Sequence, residues 1–423
     1  MIEEILSVLF VFMILLYLSW IILYFLPKKR VYDVKTHPSC AIIMPAHNEE
    51  VIIGETVRHA LDAEYPGQKQ VIVIDDGSTD KTPDIVRKIM GSAPNLKLLH
   101  LDHKGKANAI NHALTKIDAE LVLILDADSR LAGDAVLKML APFADPDVGA
   151  VSGVIRVIVN NNPLVWYQDI EYLLSSTWRR ICDKLDATYL LPGFTAFRRQ
   201  VLKEVGGFKT DTLSEDFEIG LRLRKAGYKM IMADAIMFTH VPQTFKALAR
   251  QRMRWGRGTI QVVKKHSDVP FNPEYGAIGF YGIPTQLYWF IHGFIAFPIT
   301  MYQLFNGYLI YFAKYEDYIS YNVLKYFFGW ISLSGMIEYS YNTITGVYPM
   351  TSVFILCFTS FILGMSYNLL SIIRYSRLNI RHLFVIFFNF PYSIFALIVF
   401  TFPILLEFNP LGRKKDLVNV WDK

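Results

Sequence analysis

The apolar run ELVLILDAD ends on two aspartates, Asp126 and Asp128, spaced two apart. At the end of a strand this spacing turns both carboxylates to one side. Like charges so close repel unless a cation lies between them. Mg2+ and Mn2+ prefer such oxygen ligands, and Mg2+ often shares its shell with substrate phosphates. A solvated turn is the plainer alternative. A second acidic pair, Glu215 and Asp216, opens the amphipathic segment TLSEDFEIGLRLRKAGY, where acids also answer the helix dipole. In TFKALARQRMRWGRG, Thr244 to Gly258, four arginines surround one tryptophan. On a helix Gln251, Arg254 and Trp255 fall at i, i+3 and i+4 and share a face. Arg250 and Arg257 extend its positive edge. A planar guanidinium suits phosphate oxygens, although arginines on a surface helix can also reach anionic lipid.

Weaker signals surround these. HKGKANAINHAL carries Lys104 and Lys106 at the head of a helix, a place for phosphate or uracil contacts. In VIVIDDGSTD, Asp76 could accept hydrogen bonds from a base or ribose, and Asp-Gly-Ser is also ordinary turn chemistry. Gly193 in LLPGFTAFRRQ permits close backbone approach to a sugar, or a tight turn.

Positioning these residues requires the elements between 36 and 265. CAIIMPA, QVIVIDD and ELVLILDAD are short apolar runs ending in polar residues, with amphipathic segments Glu50–Ala63 and Thr82–Met90 among them. This alternation predicts an α/β domain with a parallel sheet covered on both faces. Ligands of such sheets lie at the carboxyl ends of strands, where Asn48, Glu49, Asp75, Asp76, Asp126 and Asp128 collect. That clustering reads as a nucleotide site.

The flanks are apolar. Residues 5–26 contain no charge and exceed the roughly 20 residues a membrane helix needs. Acidic Glu3 and Glu4 and the length of the run disfavour a cleaved signal. Lys28, Lys29 and Arg30 follow, so the positive-inside rule assigns the middle of the chain to the cytoplasm. Further apolar stretches cover Gly276–Phe312, Tyr318–Tyr341, Pro349–Ile373 and Leu383–Phe408, the first read as a surface-lying helix leading into a span. Basic clusters at Arg374, Arg377 and Arg381 and at Arg413, Lys414 and Lys415 leave the number of C-terminal crossings open. The expected organisation is an anchor at 1–30, a cytoplasmic α/β domain at 36–265, interfacial and transmembrane helices at 266–410 and a polar tail at 411–423. A net charge of +5 is modest for 423 residues and argues against nucleic acid as partner. Cys40, Cys182 and Cys357 lack metal-ligand spacing.

PAHNEE, IDDGSTD, GKANAINHAL, DADS, GFTAFRR, SED and QRMRW occur in this order over about two hundred residues. The set resembles the processive, membrane-integrated family 2 glycosyltransferases, which include the hyaluronan, cellulose, chitin and poly-N-acetylglucosamine synthases. The resemblance implies a GT-A fold and an inverting transfer from a UDP-sugar donor, with UDP-N-acetylglucosamine favoured. It implies that Asp76 binds uridine, that Asp128 holds Mg2+ or Mn2+ with Asp126 as a further metal position close to the diphosphate or ribose, and that Asp216 is the general base. SED stands where relatives usually have TED. By the same resemblance Trp255 lies near the acceptor sugar, and Gln251 and Arg254 face the diphosphate. Glu49, Lys106, Gly193, Phe194, Thr195, Glu215 and Arg252 belong to the same motifs and are carried over as substrate-binding positions. The implied partners are a growing polysaccharide or lipid-linked acceptor and the lipids of a plasma membrane crossed several times. Two alternatives share the motifs: transfer of one sugar to a polyprenyl-type carrier, and a non-catalytic membrane sugar-binding or transport protein. His240, in THVPQTF, is an additional candidate metal ligand. One apolar span precedes the domain where several relatives have two or more, and the regulatory domain of cellulose-type relatives is not expected.

Overall fold

The computed structural model describes residues 2–28, 30–315 and 320–408. The expected tail at 411–423, with Arg413, Lys414 and Lys415, lies outside them, as do Lys29 and Tyr318. Contacts divide the described chain into two compact units. One comprises Pro27–Ile158 and Trp178–Pro284; the other comprises the residues up to Leu26, Val159–Thr177 and Thr285–Phe408.

The first unit is built on eight strands: β1 (Cys40–Ala46), β2 (Lys69–Asp76), β3 (Leu96–Leu101), β4 (Leu121–Leu125), β5 (Ser129–Leu131), β6 (Val148–Val157), β7 (Phe194–Arg198) and β8 (Lys229–Thr239). They form one sheet in the order β3-β2-β1-β4-β7-β6-β8-β5. β3, β2, β1 and β4 are parallel, as the continuous apolar runs require. Beyond β4 the sheet is mixed rather than parallel throughout. β7 is antiparallel to both β4 and β6, and β5 is antiparallel to β8. No helical crossover precedes β5, which follows β4 after three residues, so that part could not be read as repeating strand–helix units.

Two consequences matter for the site. The chain leaves β1 toward β2 on one side and reaches β4 on the other, so a crevice opens at the carboxyl ends of β1 and β4. Because β7 runs against β4, with Phe194 opposite Leu125, Gly193 arrives beside Asp126, whose backbone N–H donates to the Gly193 carbonyl at 3.2 Å.

The helices, in chain order, begin with α1 (Ile2–Phe25), α2 (Ile53–Asp62), α3 (Thr82–Met90), α4 (Lys106–Leu114) and α5 (Ala135–Leu140). α6 (Pro163–Lys184), α7 (Arg199–Glu204), α8 (Glu215–Lys225) and α9 (Phe245–Lys265) follow. α8 and α9 are locked together where no side chain intervenes. A Cβ on Gly258 would stand 2.2 Å from Ser214 Oγ, and Gln261 Oε1 accepts the Leu213 N–H at 2.9 Å. Glu218, fully buried, takes Lys265 of α9 at 2.8 Å and His266, just after it, at 3.5 Å. These bonds, with those of Arg222, hold its carboxyl at about 2 against the opposing cost of burial.

Lys28 and Arg30, which follow α1, are engaged by protein. Lys28 Nζ donates to the carbonyls of Asp183 and Lys184 at the end of α6, and Arg30 pairs with buried Asp183 at 2.7 Å.

The second unit contains α1, the first part of α6, and α10 (Ile283–Tyr315), α11 (Tyr321–Ile331), α12 (Leu333–Ile344), α13 (Ser352–Tyr375), α14 (Ile380–Phe387) and α15 (Asn389–Phe408). Among the described residues three helices, α1, α13 and α15, are long and apolar enough to cross a bilayer. The stretch expected at Tyr318–Tyr341 is broken at Ser332, whose hydroxyl caps α12, leaving two helices too short to span. Leu383–Phe408 divides likewise between α14 and α15. The stretch from Gly276 begins with a π-helical turn at Ile278–Gly282 and continues as α10. α1 packs on α13 through Tyr17 and Trp20, whose rings lie 6.2 and 4.8 Å from that of Tyr367.

The close passage of α9 over Ser214 gives a direct expectation. Gly258→Ala overpacks this contact, a change that costs about 1–3 kcal/mol in well-packed interiors. Thermal unfolding of the purified protein is expected to shift downward, and an unchanged melting temperature would contradict the packing.

Candidate active site

At the end of β4, four charged side chains from three elements meet. Lys106, the first residue of α4, places Nζ 2.6 Å from Asp126 Oδ1 and 3.4 Å from Glu215 Oε1. Asp216 follows on α8, and Arg254 on α9 is close enough to draw its proton affinity down. Gly193 completes the group: a Cβ there would stand 1.8 Å from Asp126 Oδ2, so only glycine lets this carboxylate approach.

The first turn of α8 separates its acids by role. Glu218 points inward and is consumed by packing, whereas Glu215 and Asp216 turn to Lys106. Helix-dipole compensation alone does not require that division. Burial, followed by repulsion from Glu215, raises the Asp216 carboxyl from 3.8 to about 6. Lys106, the Phe217 N–H and Arg254 oppose the rise. For Lys106 the order is reversed: attraction by Asp126, Glu215 and Asp216 outweighs burial and drives its ammonium well above the ordinary lysine value.

Asp128 lies just past this cluster. β5 pairs Ser129 with Thr239, which brings the start of THVPQTF alongside. His240 N–H donates to the Asp128 carbonyl at 3.3 Å, and Thr239 Oγ1 lies 3.4 Å from Asp128 Oδ1. Among the described residues no three His, Cys, Asp or Glu side chains gather as a ready-made cation cage. Asp126 and Asp128, the carboxylates expected to hold a divalent ion, lie on either side of Ala127 just after β4. Two carboxylates completed by phosphate oxygens fit Mg2+ or Mn2+.

The Asp76 end of the crevice is differently built. The carboxylate of Asp76 is fully buried and accepts the N–H groups of Lys104 and Gly105 at 2.9 and 2.8 Å. Gly105 has φ of 88°, open to glycine without strain, so Asp76 fixes the loop that delivers Lys106. His103 Nδ1 lies 2.9 Å from the same carboxylate, and His47 Nδ1 lies 2.8 Å from the Asp76 carbonyl. The two imidazoles stack at 4.2 Å. Both were missed in the sequence, although each interrupts a motif already singled out, PAHNEE and HKGK.

The remaining sequence candidates have other surroundings. Glu49 is buried in the turn after β1, its N–H held by Thr82 Oγ1 at 2.8 Å. Phe194 and Thr195 are buried in β7, with the Phe194 ring filling the space beside Gly153. Arg252 is buried and lies over the Trp255 ring, 4.3 Å from its centre, while Gln251 Oε1 accepts from Arg252 Nη1.

Residues 41–206 match the sequence profile described as glycosyl transferase family 2. The chain carries a family 2 glycosyltransferase domain. That domain holds Asp76, Lys106, Asp126, Asp128 and Gly193, while Asp216 and Trp255 follow it. The chain is 30% identical over 266 residues to a poly-beta-1,6-N-acetyl-D-glucosamine synthase of Staphylococcus epidermidis, covering 60% of this chain and 64% of that protein. It is 31% identical over 244 residues to the synthase of the same description from Staphylococcus aureus strain COL, covering 57% and 59%. The chain thus spans a little under two thirds of the curated relatives it matches. A mannosyltransferase from Pyrobaculum calidifontis, solved with GDP-Man and Mn2+, superposes with a TM-score of 0.59 over 88% of this chain and 98% of that one, at 23% identity. The glycosyltransferase domain therefore has the GT-A fold, with apolar helices at both ends. Together with the synthase relatives, those helices indicate membrane association.

The raised Asp216 has a thermodynamic signature in this domain. Its folded value of about 6 exceeds 3.8, so the ionised carboxylate opposes folding at neutral pH, on the order of 2–3 kcal/mol. That opposition vanishes as pH falls through about 6 toward 4. Asp216→Asn is expected to raise the melting temperature at pH 7.5 and to lose that gain near pH 4.5. A destabilised variant at pH 7.5 would contradict the assignment.

Proposed function

We propose that the protein is an inverting, metal-dependent hexosyltransferase that extends a β-linked polysaccharide from a UDP-sugar and moves it across the membrane. The observation that carries this reading is the meeting of Lys106, Asp126, Glu215 and Asp216 at the mouth of a GT-A sheet, beside an arginine- and tryptophan-bearing helix. A binding module has no use for a carboxylate held at about 6 beside a half-buried ammonium. A transferase does, because its base must be ionised near neutrality yet basic enough to take a proton.

In this mechanism the nucleotide lies along the crevice, its base toward Asp76, His47 and His103. Its diphosphate lies toward Lys106 and Arg254, whose positive charges stabilise the leaving UDP. Mg2+ or Mn2+ held by Asp126 and Asp128 would supply further neutralisation of the diphosphate. Asp216 accepts the proton of the acceptor hydroxyl. The freed oxygen forms a bond to the anomeric carbon on the face opposite the diphosphate, the carbon–oxygen bond to UDP breaks, and the configuration inverts. Trp255 offers its indole to the acceptor sugar.

Identity with the poly-beta-1,6-N-acetyl-D-glucosamine synthases supports UDP-N-acetylglucosamine as donor. The three apolar helices support a multi-pass plasma-membrane protein, and the basic residues after α1 support a cytoplasmic catalytic domain.

The test is turnover of the purified full chain with a panel of nucleotide sugars, read as free UDP and as product size. UDP-N-acetylglucosamine is expected to give a polymer retained on a gel, and excess EDTA to stop the reaction until Mn2+ or Mg2+ is restored. Asp216→Asn is expected to lower UDP release by at least 10³-fold, an upper-range contribution for a proton-transfer residue, with UDP-sugar affinity largely kept. Undiminished turnover in that variant would overturn the base. An organic-extractable product bearing one sugar would replace polymer extension with transfer to a lipid carrier.

A further inference from the structure

Two arginines of α9, two residues apart, do different work. Arg254 acts on the Asp216 carboxyl. Arg252 is only 6% exposed and lies over the indole of Trp255, 4.3 Å from the ring centre, with one Nη donating to Gln251 Oε1. We propose that Arg252 is the positioning residue of the acceptor platform: it clamps Trp255 so that the indole is held in the orientation that receives a sugar ring. This rests on the reading of Trp255 as the acceptor contact.

A guanidinium is planar, so it can lie over an indole and still donate through its N–H groups, here to Gln251. The attraction between cation and ring strengthens when both are withdrawn from water, as the burial of Arg252 provides. A flat sugar-binding surface is effective only when its orientation is fixed before the ligand arrives. The helix beneath is itself immobilised, since Gly258 rides on Ser214 and Gln261 holds Leu213. Gln251, Arg252 and Trp255 thus form one unit, in which Arg252 holds the ring.

The experiment uses the purified full chain, saturating UDP-N-acetylglucosamine and a β-linked N-acetylglucosamine tetramer as acceptor probe. Arg252→Met is expected to raise the acceptor KM at least fivefold while the UDP Kd stays within twofold, and Arg252→Lys to fall between it and wild type. In a double-mutant cycle, Arg252→Met added to Trp255→Ala is expected to cause no further loss, because the two act as one unit. An unchanged acceptor KM in Arg252→Met, a parallel rise in the UDP Kd, or multiplying effects in the double variant would overturn the proposal. If Arg252→Met does not fold, Arg252→Lys and Arg252→Gln carry the same comparison. An unchanged acceptor KM in Trp255→Ala would instead sink the reading of the platform itself.

Discussion

A single ammonium group organises the site. Lys106 Nζ stands between Asp126 and Glu215 and lowers the proton affinity of Asp216. Without it, three carboxylates from two distant segments would crowd into one partly dry pocket, each discouraging the ionisation of the others. With it, the cluster can hold several charges and still keep one carboxyl near neutrality. The surrounding fold is arranged to deliver that group. Asp76 fixes the turn before α4, Gly105 supplies the left-handed bend, and Gly193 lets Asp126 approach.

The same cluster explains why the acids of α8 are not interchangeable. Glu218 is locked by Arg222, Lys265 and His266 and ties α8 to α9. Glu215 and Asp216, at the open end of the helix, face Lys106. One helical turn therefore divides into one acid that ties helices together and two that face Lys106. The α9 arginines divide in the same way, between the charge cluster and the indole.

Much of this was legible in sequence because strand and helix periods are local. β1, β2 and β4 follow the apolar runs, and α3 begins and ends where its amphipathic pattern does. Asp126 and Asp216 were singled out by position at strand and helix ends. The antiparallel half of the sheet was not legible, since β7 pairs with β4 across some seventy intervening residues and no local period encodes that. For the same reason the sequence could name Gly193 but not its contact with Asp126. Asp76 was read as a ligand contact; that its carboxylate also holds the backbone N–H groups of Lys104 and Gly105 depends on how a loop folds back, not on residue type. His47 and His103 were passed over because lone histidines fifty-six positions apart carry no spacing signal. α11 and α12 show the limit of hydropathy, since an apolar stretch does not announce a serine-capped break.

The pH dependence of kcat/KM tests the charge cluster most directly, because its acid limb reports the ionisation of the free enzyme's base. The account predicts a limb near pH 6, moved to lower pH in Glu215→Gln, where a repelling charge is removed. In Lys106→Met it moves to higher pH, where the attracting charge is lost. A limb that stays fixed in both variants, or moves in the opposite directions, would contradict it.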